Sequence, residues 1–276
     1  MRINNNITAI NSHRQYGINN SSLGKNMEKL SSGFRVNRAA DDAAGLAISE
    51  KMRAQVRGLD MASKNSQDAI SLVQVAEGGM QTIQDILQRM RELSVQAASD
   101  TNVTLDRKAL DLELQQLIQE VDNIAKTSEF NEMRLLDGKF QNKIVQAGAN
   151  VGQTMSISIS SMSAQGLKLT NAARTETISI ASRTLATVAL GMITGALNSV
   201  SMMRATLGAY QNRLEYKIRN LDNAAENIAA AESRIRDVDM AKMMTEFTKN
   251  NILFQASTAM LAQANALPQS VLQLLG

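Results

Sequence analysis

Seven apolar residues, Ile193, Val200, Leu207, Leu214, Leu221, Ile228 and Ile235, stand seven apart without a break. A strict seven-residue repeat puts one apolar stripe along a slightly underwound helix, and that stripe needs a partner helix along its length. Residues 193–235 at ~1.5 Å per residue form a helix of roughly 65 Å. A chain carrying such a helix is restricted to bundles of long helices.

A partner exists upstream. Met52, Leu59, Ser66, Val73, Met80 and Leu87 also fall seven apart, with Val56 and Ile70 supplying a second row. Asp41-Asp42 stands just before this stretch; it reads as a helix cap or, less simply, as a metal pair. After Asp100-Thr101-Asn102, a third helix carries Leu110, Leu114, Leu117, Val121 and Ile124 in alternating steps of four and three. At the start of the chain, Ile3, Ile7 and Ile10 begin a seam that resumes at Tyr16, Leu23, Met27 and Leu30 before Ser31-Ser32-Gly33 ends it.

The middle differs. Leu135-Leu136-Asp137-Gly138-Lys139-Phe140 places Asp-Gly between apolar flanks, a hairpin signal. Met155, Ile157 and Ile159 alternate with serines, which is period two. The expected fold is mainly α: a long antiparallel coiled-coil bundle with a small β-hairpin region at about 127–160 and terminal helices pairing with each other. The expected divisions are 1–40, 41–175, 176–236 and 237–276. Within 232–239, ESRIRDVD reads either as local pairing of Glu232 with Arg236 or as a hinge.

Composition narrows the function. Aromatics are 3%, Trp is absent, and 16 Met and one Pro accompany the aliphatic residues, which suits thin helix–helix seams. With no Cys and His13 alone, thiolate chemistry and His-clustered zinc are excluded, and no catalytic constellation, metal site or cofactor loop stands in the chain. Twenty-nine basic residues against 26 acidic ones leave +3, too little to indicate nucleic acid. No uninterrupted apolar run reaches the ~20 residues of a membrane span, so membrane insertion is not expected, nor is a cleavable secretory signal.

Residues 250–276 contain no charged side chain, and residues 1–13 only Arg2. A solvated helix face carries Lys and Glu; these ends instead offer aliphatics, amides and hydroxyls suited to protein contact. Both ends are expected to be loose in the free chain and to order when copies pack together. Burying about ten apolar side chains per end at ~1.5–3 kcal/mol each corresponds to a gross gain of ~15–30 kcal/mol. The self-assembly seams are assigned to Ile3, Ile7, Ile10, Leu23, Met27, Leu30, Phe247, Phe254, Leu261 and Leu272.

The blocks LSSGFRVNRAADDAAGLAISEKMRAQVRGLDMASKNSQDAISLVQVAEGGM (30–80), LQRMRELSVQAASDTN (87–102) and LGAYQNRLEYKIRNLDNAAENIAAAESRIRDVDMAKMMTEFTKNNIL (207–253) resemble bacterial flagellin closely. The resemblance covers nearly the whole chain except about 140–200, where the family's variable outer domains would be inserted, so this looks like a minimal flagellin. It implies a non-enzymatic subunit of the flagellar filament, secreted unfolded through type III export and polymerising for swimming motility. Implied partners are copies of itself, an export chaperone at about 240–275, and the filament cap and hook-junction proteins. The block QRMRELSVQ also resembles the family's patch for the flagellin-sensing Toll-like receptor, which implies a host-receptor site at Arg89, Leu93 and Glu113. Phe34 departs from the family pattern, where Leu is usual, as does the terminal Gly276.

Overall fold

The computed structural model describes residues 6–170 and 177–275, with side chains described as far as 267. Five helices dominate: α1 (Ile7–Ser32), α2 (Ala43–Ala98), α3 (Thr104–Thr127), α4 (Arg183–Arg236) and α5 (Met240–Leu275). Between α3 and α4 lie two antiparallel strand pairs, β1 (Glu129–Phe130) with β2 (Met133–Arg134) and β3 (Lys143–Gln146) with β4 (Thr154–Ile157). The chain divides into two compact units: Met1–Val56 with Glu226–Gly276, and Arg57–Ala225.

The helix ends follow from local chemistry. The Asn6 side chain accepts the Ala9 amide at the start of α1, and Gly33 ends that helix with φ 73°, a conformation costly for any residue with a Cβ. Asp42 accepts the Gly45 amide at 2.8 Å, so it caps α2. Asp239 accepts the Lys242 amide at 3.1 Å and caps α5.

In the Arg57–Ala225 unit, the two predicted heptad stripes share one buried cluster. Val73, Met80 and Leu87 from α2 join Ile193, Val200, Leu207 and Leu214 from α4, all at 0% exposure. Leu221 is also buried. The pairs Arg183–Asp100, Arg204–Glu77 and Ser63–Asp222 run in opposite chain directions, so α2 and α4 are antiparallel. An 18-residue window of α4 averages a mean hydropathy of 1.5, enough by length and composition for a membrane span. Counting uninterrupted runs missed it because Thr, Ser and Asn are scattered through the window. Its Ala186, Ala189, Ile193, Ala196 and Val200 stripe is packed into the protein core, and 28% of the window is buried.

α3 buries Leu114, Ile118, Val121 and Ala125 in the same cluster, with Leu110, Leu117 and Ile124 at its edge. Arg107 reaches back from α3 to the Ala97 and Ser99 carbonyls at 3.0 Å each, and its side chain is 15% exposed. It thus satisfies carbonyls that the end of α2 leaves without intrahelical partners. Arg107→Ala is expected to destabilise this unit by about 1.5–3 kcal/mol, the range for hydrogen bonds to a charged group. A urea midpoint equal to wild type would show that water replaces the guanidinium without loss.

The β-region corrects one sequence expectation. Asp137-Gly138 does make a turn, with the Asp137 carboxylate accepting the Lys139 amide at 2.9 Å. It does not connect the strands of a two-residue hairpin. That role falls to Asn131-Glu132 between β1 and β2, both at positive φ (48° and 63°). Leu135 and Leu136 are fully buried, so the apolar residues before Asp-Gly serve the core. Backbone bonds from Ile159 to Phe140 and from Met162 to Leu136 lengthen the β3–β4 pair, whose tip lies at 147–153. Met155, Ile157 and Ile159 are buried, as their alternation predicts.

Candidate assembly interface

In the unit built from both chain ends, α1 and α5 pair antiparallel. The Asn6 side-chain amide donates to the Ala264 carbonyl at 2.7 Å, Asn19 donates to the Ser257 hydroxyl at 2.6 Å, and the Tyr16 and Phe254 rings lie 5.1 Å apart. Amide and hydroxyl pairing between these helices matches the uncharged composition of the ends.

The seam is thin. No described residue of α1 is fully buried, and on α5 only Met243 and Ala264 are, among the described side chains. The predicted seam residues divide into two sets. Leu23, Leu30, Phe247, Phe254 and Leu261 are half-buried. Ile7, Ile10 and Met27 are more than half exposed, and Ile18, Ile252, Leu253 and Met260 join them in the solvent. Ile3 lies outside the described residues, as does the side chain of Leu272. The same unit contains Ile228 and Ile235, the last two heptad residues, which are half-buried where the five before them are fully buried.

A clasp ties the α1–α2 connection to the break between α4 and α5. The Val238 amide donates to the Gly33 carbonyl at 3.0 Å, and the Arg35 amide donates to the Arg236 carbonyl at 2.6 Å. Arg236 bonds Glu50 at 2.6 Å and stacks its guanidinium 4.5 Å from the centre of the Phe34 ring. The local Glu232–Arg236 pairing considered from sequence is therefore not the partner choice made: Arg236 reaches across to α2. The helix is interrupted at 237–239, between α4 and α5. Phe34, the departure from the family pattern, supplies a π-face for the Arg that a Leu would lack.

Three carboxylates around this clasp have lowered pKa values. The Arg38 side chain, then Asn37, holds Glu28 low; the Arg38 backbone amide holds Asp41 low; Arg236 holds Glu50 low. Because the folded values lie below the ordinary carboxylate range, this stabilisation is complete above that range. It is lost as pH falls through the depressed values. The Arg38 amide proton, bonded to Asp41 at 3.1 Å, is expected to titrate in NMR with a midpoint below that of a free aspartate. A midpoint at the ordinary value would show that the bond is not held in solution.

The Arg57–Ala225 unit carries the other predicted site. Arg89 is exposed on α2 and bonds Glu113 of α3 at 2.9 Å and Glu92 at 3.2 Å, and these two carboxylates, Glu113 first, raise its pKa. Leu93 does not share that surface. Three residues after Met90 and four before Ala97, it falls on the buried stripe at 0% exposure, so it supports the patch from beneath and offers no contact.

Sequence reading missed how α3 fastens the segment that returns to α4. Asp122 accepts the Ala164 amide at 2.9 Å, Asp111 accepts the Ile180 amide at 2.7 Å, and Gln115 donates to the Ile178 carbonyl at 2.8 Å. Spacing puts these three residues on one face of α3, but only the fold reveals their partners. Among the described residues there is no cluster of acidic or His side chains able to hold a metal.

The N-terminal helical region of bacterial flagellin matches residues 3–141, and the C-terminal helical region matches residues 190–275. A flagellin of Halalkalibacterium halodurans is 55% identical over the full length of both chains, and that of Bacillus subtilis is 51% identical, again over all of both. A flagellar filament 31.3 kDa core protein of Treponema maltophilum is 48% identical with the same full coverage. The crystal structure of Bacillus cereus flagellin superposes with a TM-score of 0.51 at 30% identity, covering 61% of this chain and 94% of that one. With paired terminal helices, an antiparallel heptad bundle and matches at both ends and along the whole length, the chain belongs to the bacterial flagellin family.

Proposed function

We infer that this chain, a structural subunit of the flagellar filament and not an enzyme, polymerises by burying the apolar surface that the α1–α5 pair leaves open. The observation that carries this reading is the exposure of Ile7, Ile10 and Ile18 on α1 and of Ile252, Leu253 and Met260 on α5, where no charged residue follows Lys249. Covering the exposed halves of these six side chains corresponds to a gross gain of about 5–9 kcal/mol per subunit. That is smaller than the sequence alone suggests, because the other seam residues already touch the opposite helix. The divisions 1–40 and 237–276 then form the inner core of the polymer. Purified protein mixed with sheared filament seeds should elongate them under electron microscopy; protein that stays monomeric with competent seeds contradicts the reading.

The chain is secreted through the flagellar type III route. The exposed apolar face of α5 supports an export chaperone at about 240–275, since it needs cover until assembly. The growing end meets the filament cap, and the base meets the hook-junction proteins.

A second reading concerns the free monomer. Exposed Arg89, held in place by Glu113 and Glu92, is a pre-organised cationic anchor of the kind that forms binding hot spots, and it supports recognition by the flagellin-sensing Toll-like receptor. Arg89→Ala should weaken receptor signalling by monomer about tenfold or more, while the ion pairs it removes, being exposed, contribute at most ~1 kcal/mol to stability. Unchanged signalling by a folded variant would remove Arg89 from the site.

A further inference from the structure

The chain has no Cys, so its nucleophilic sulfur is confined to 16 Met thioethers. Four of them are exposed on or beside the terminal helix pair: Met27 (56%), Met240 (49%), Met244 (50%) and Met260 (63%). The antiparallel register set by Asn6–Ala264 and Tyr16–Phe254 brings Met27 to the level of Met244. Met240 and Met244 share one face of α5, four residues apart. Met260 lines a groove between α1 and α5 with Asn11, Gln15, Asn19 and Leu253. In the other unit Met80 and Met90 are at 0% exposure, while Met61 (55%), Met133 (39%), Met192 (43%) and Met202 (76%) are exposed on α2, β2 and α4.

We propose that Met27, Met240, Met244 and Met260 are oxidative modification sites that switch the monomer between assembly-competent and assembly-blocked forms. The co-reactant is a peroxide. The thioether sulfur attacks one peroxide oxygen and the O–O bond breaks. Sulfur gains that oxygen and loses two electrons, and the other oxygen leaves as water after proton transfer. The product is a sulfoxide, a strong dipolar acceptor in place of a soft apolar side chain, and it is reversible by the sulfoxide reductases. Facing solvent it is well hydrated. Beneath a second subunit it must give up that hydration, which costs free energy wherever the contact supplies no hydrogen-bond donor in its place. Once packed, the same sulfurs are shielded, so the polymer resists an oxidant that disables its free subunits. This rests on the assembly reading above.

The test treats monomer with hydrogen peroxide, maps sulfoxides by peptide mass spectrometry, and measures seed elongation. Oxidised wild type should elongate seeds about tenfold more slowly or worse, and should recover after treatment with both methionine sulfoxide reductases. In the variant with all four changed to Leu, peroxide should leave the elongation rate where it stood before treatment. Equal inhibition of that variant, or undiminished elongation by wild type oxidised at these four positions, overturns the proposal. A further measurement needs no variant: peroxide applied to finished filaments should leave the four sulfurs less oxidised than in monomer, and equal oxidation in both overturns it. Untreated protein that fails to elongate seeds overturns the assembly reading itself, and this proposal with it.

Discussion

Without residues 1–32 and 240–276, the protein is expected to add no subunits to filament seeds while still melting cooperatively. The buried cluster from Ala69 to Leu214 lies within the Arg57–Ala225 unit and uses no residue of α1 or α5. The apolar surface assigned to polymer contact, by comparison, lies on those two helices. Removing them deletes the interface and leaves the core intact. Electron microscopy of seeded reactions measures the first effect and circular dichroism melting the second. Trimmed protein that elongates at the wild-type rate would place the polymer contacts elsewhere.

The second large effect is expected at the heptad seam. Leu207 is at 0% exposure and belongs to the same buried cluster as Val73, Ala76 and Met80. Leu207→Ala removes apolar area and leaves a cavity that helices joined along a continuous stripe cannot easily close, a loss of about 2–5 kcal/mol. Ile228 occupies an equivalent sequence position but is half-buried, so Ile228→Ala is expected to cost roughly half as much. Urea unfolding followed by circular dichroism distinguishes the two. Equal losses would show that position in the repeat matters and burial does not.

This contrast marks how far the sequence could be read. The seven-residue spacing announces the stripe at Ile193–Ile235, since a helix cannot carry it without a partner. It does not announce that burial weakens at Ile228 and Ile235, which depends on which segments accompany the end of α4. Arg89 and Leu93 show the same limit. They lie four apart on one helix, yet the boundary between solvent and core passes between them, and only the placement of α3 fixes that boundary. Asp137-Gly138 carries a strong local turn signal, but burial of Leu135 and Leu136 decides which turn joins the strands. Arg236 has a plausible local partner in Glu232 and takes a distant one, because the interruption after residue 236 brings it to Glu50 and Phe34. Local chemistry is legible when its partner is within a helical turn; contacts across nearly two hundred residues are not.

Asn6 both accepts the Ala9 amide and donates to the Ala264 carbonyl. One side chain therefore starts the first helix and fastens it to the last. A nascent or translocating polypeptide that emerges from a narrow conduit delivers one of these two residues long before the other. Whichever end arrives first has no mate until almost the entire molecule has passed, and helices in proteins draw most of their stability from such packing. Closure of the pair therefore waits for nearly the full length of the chain.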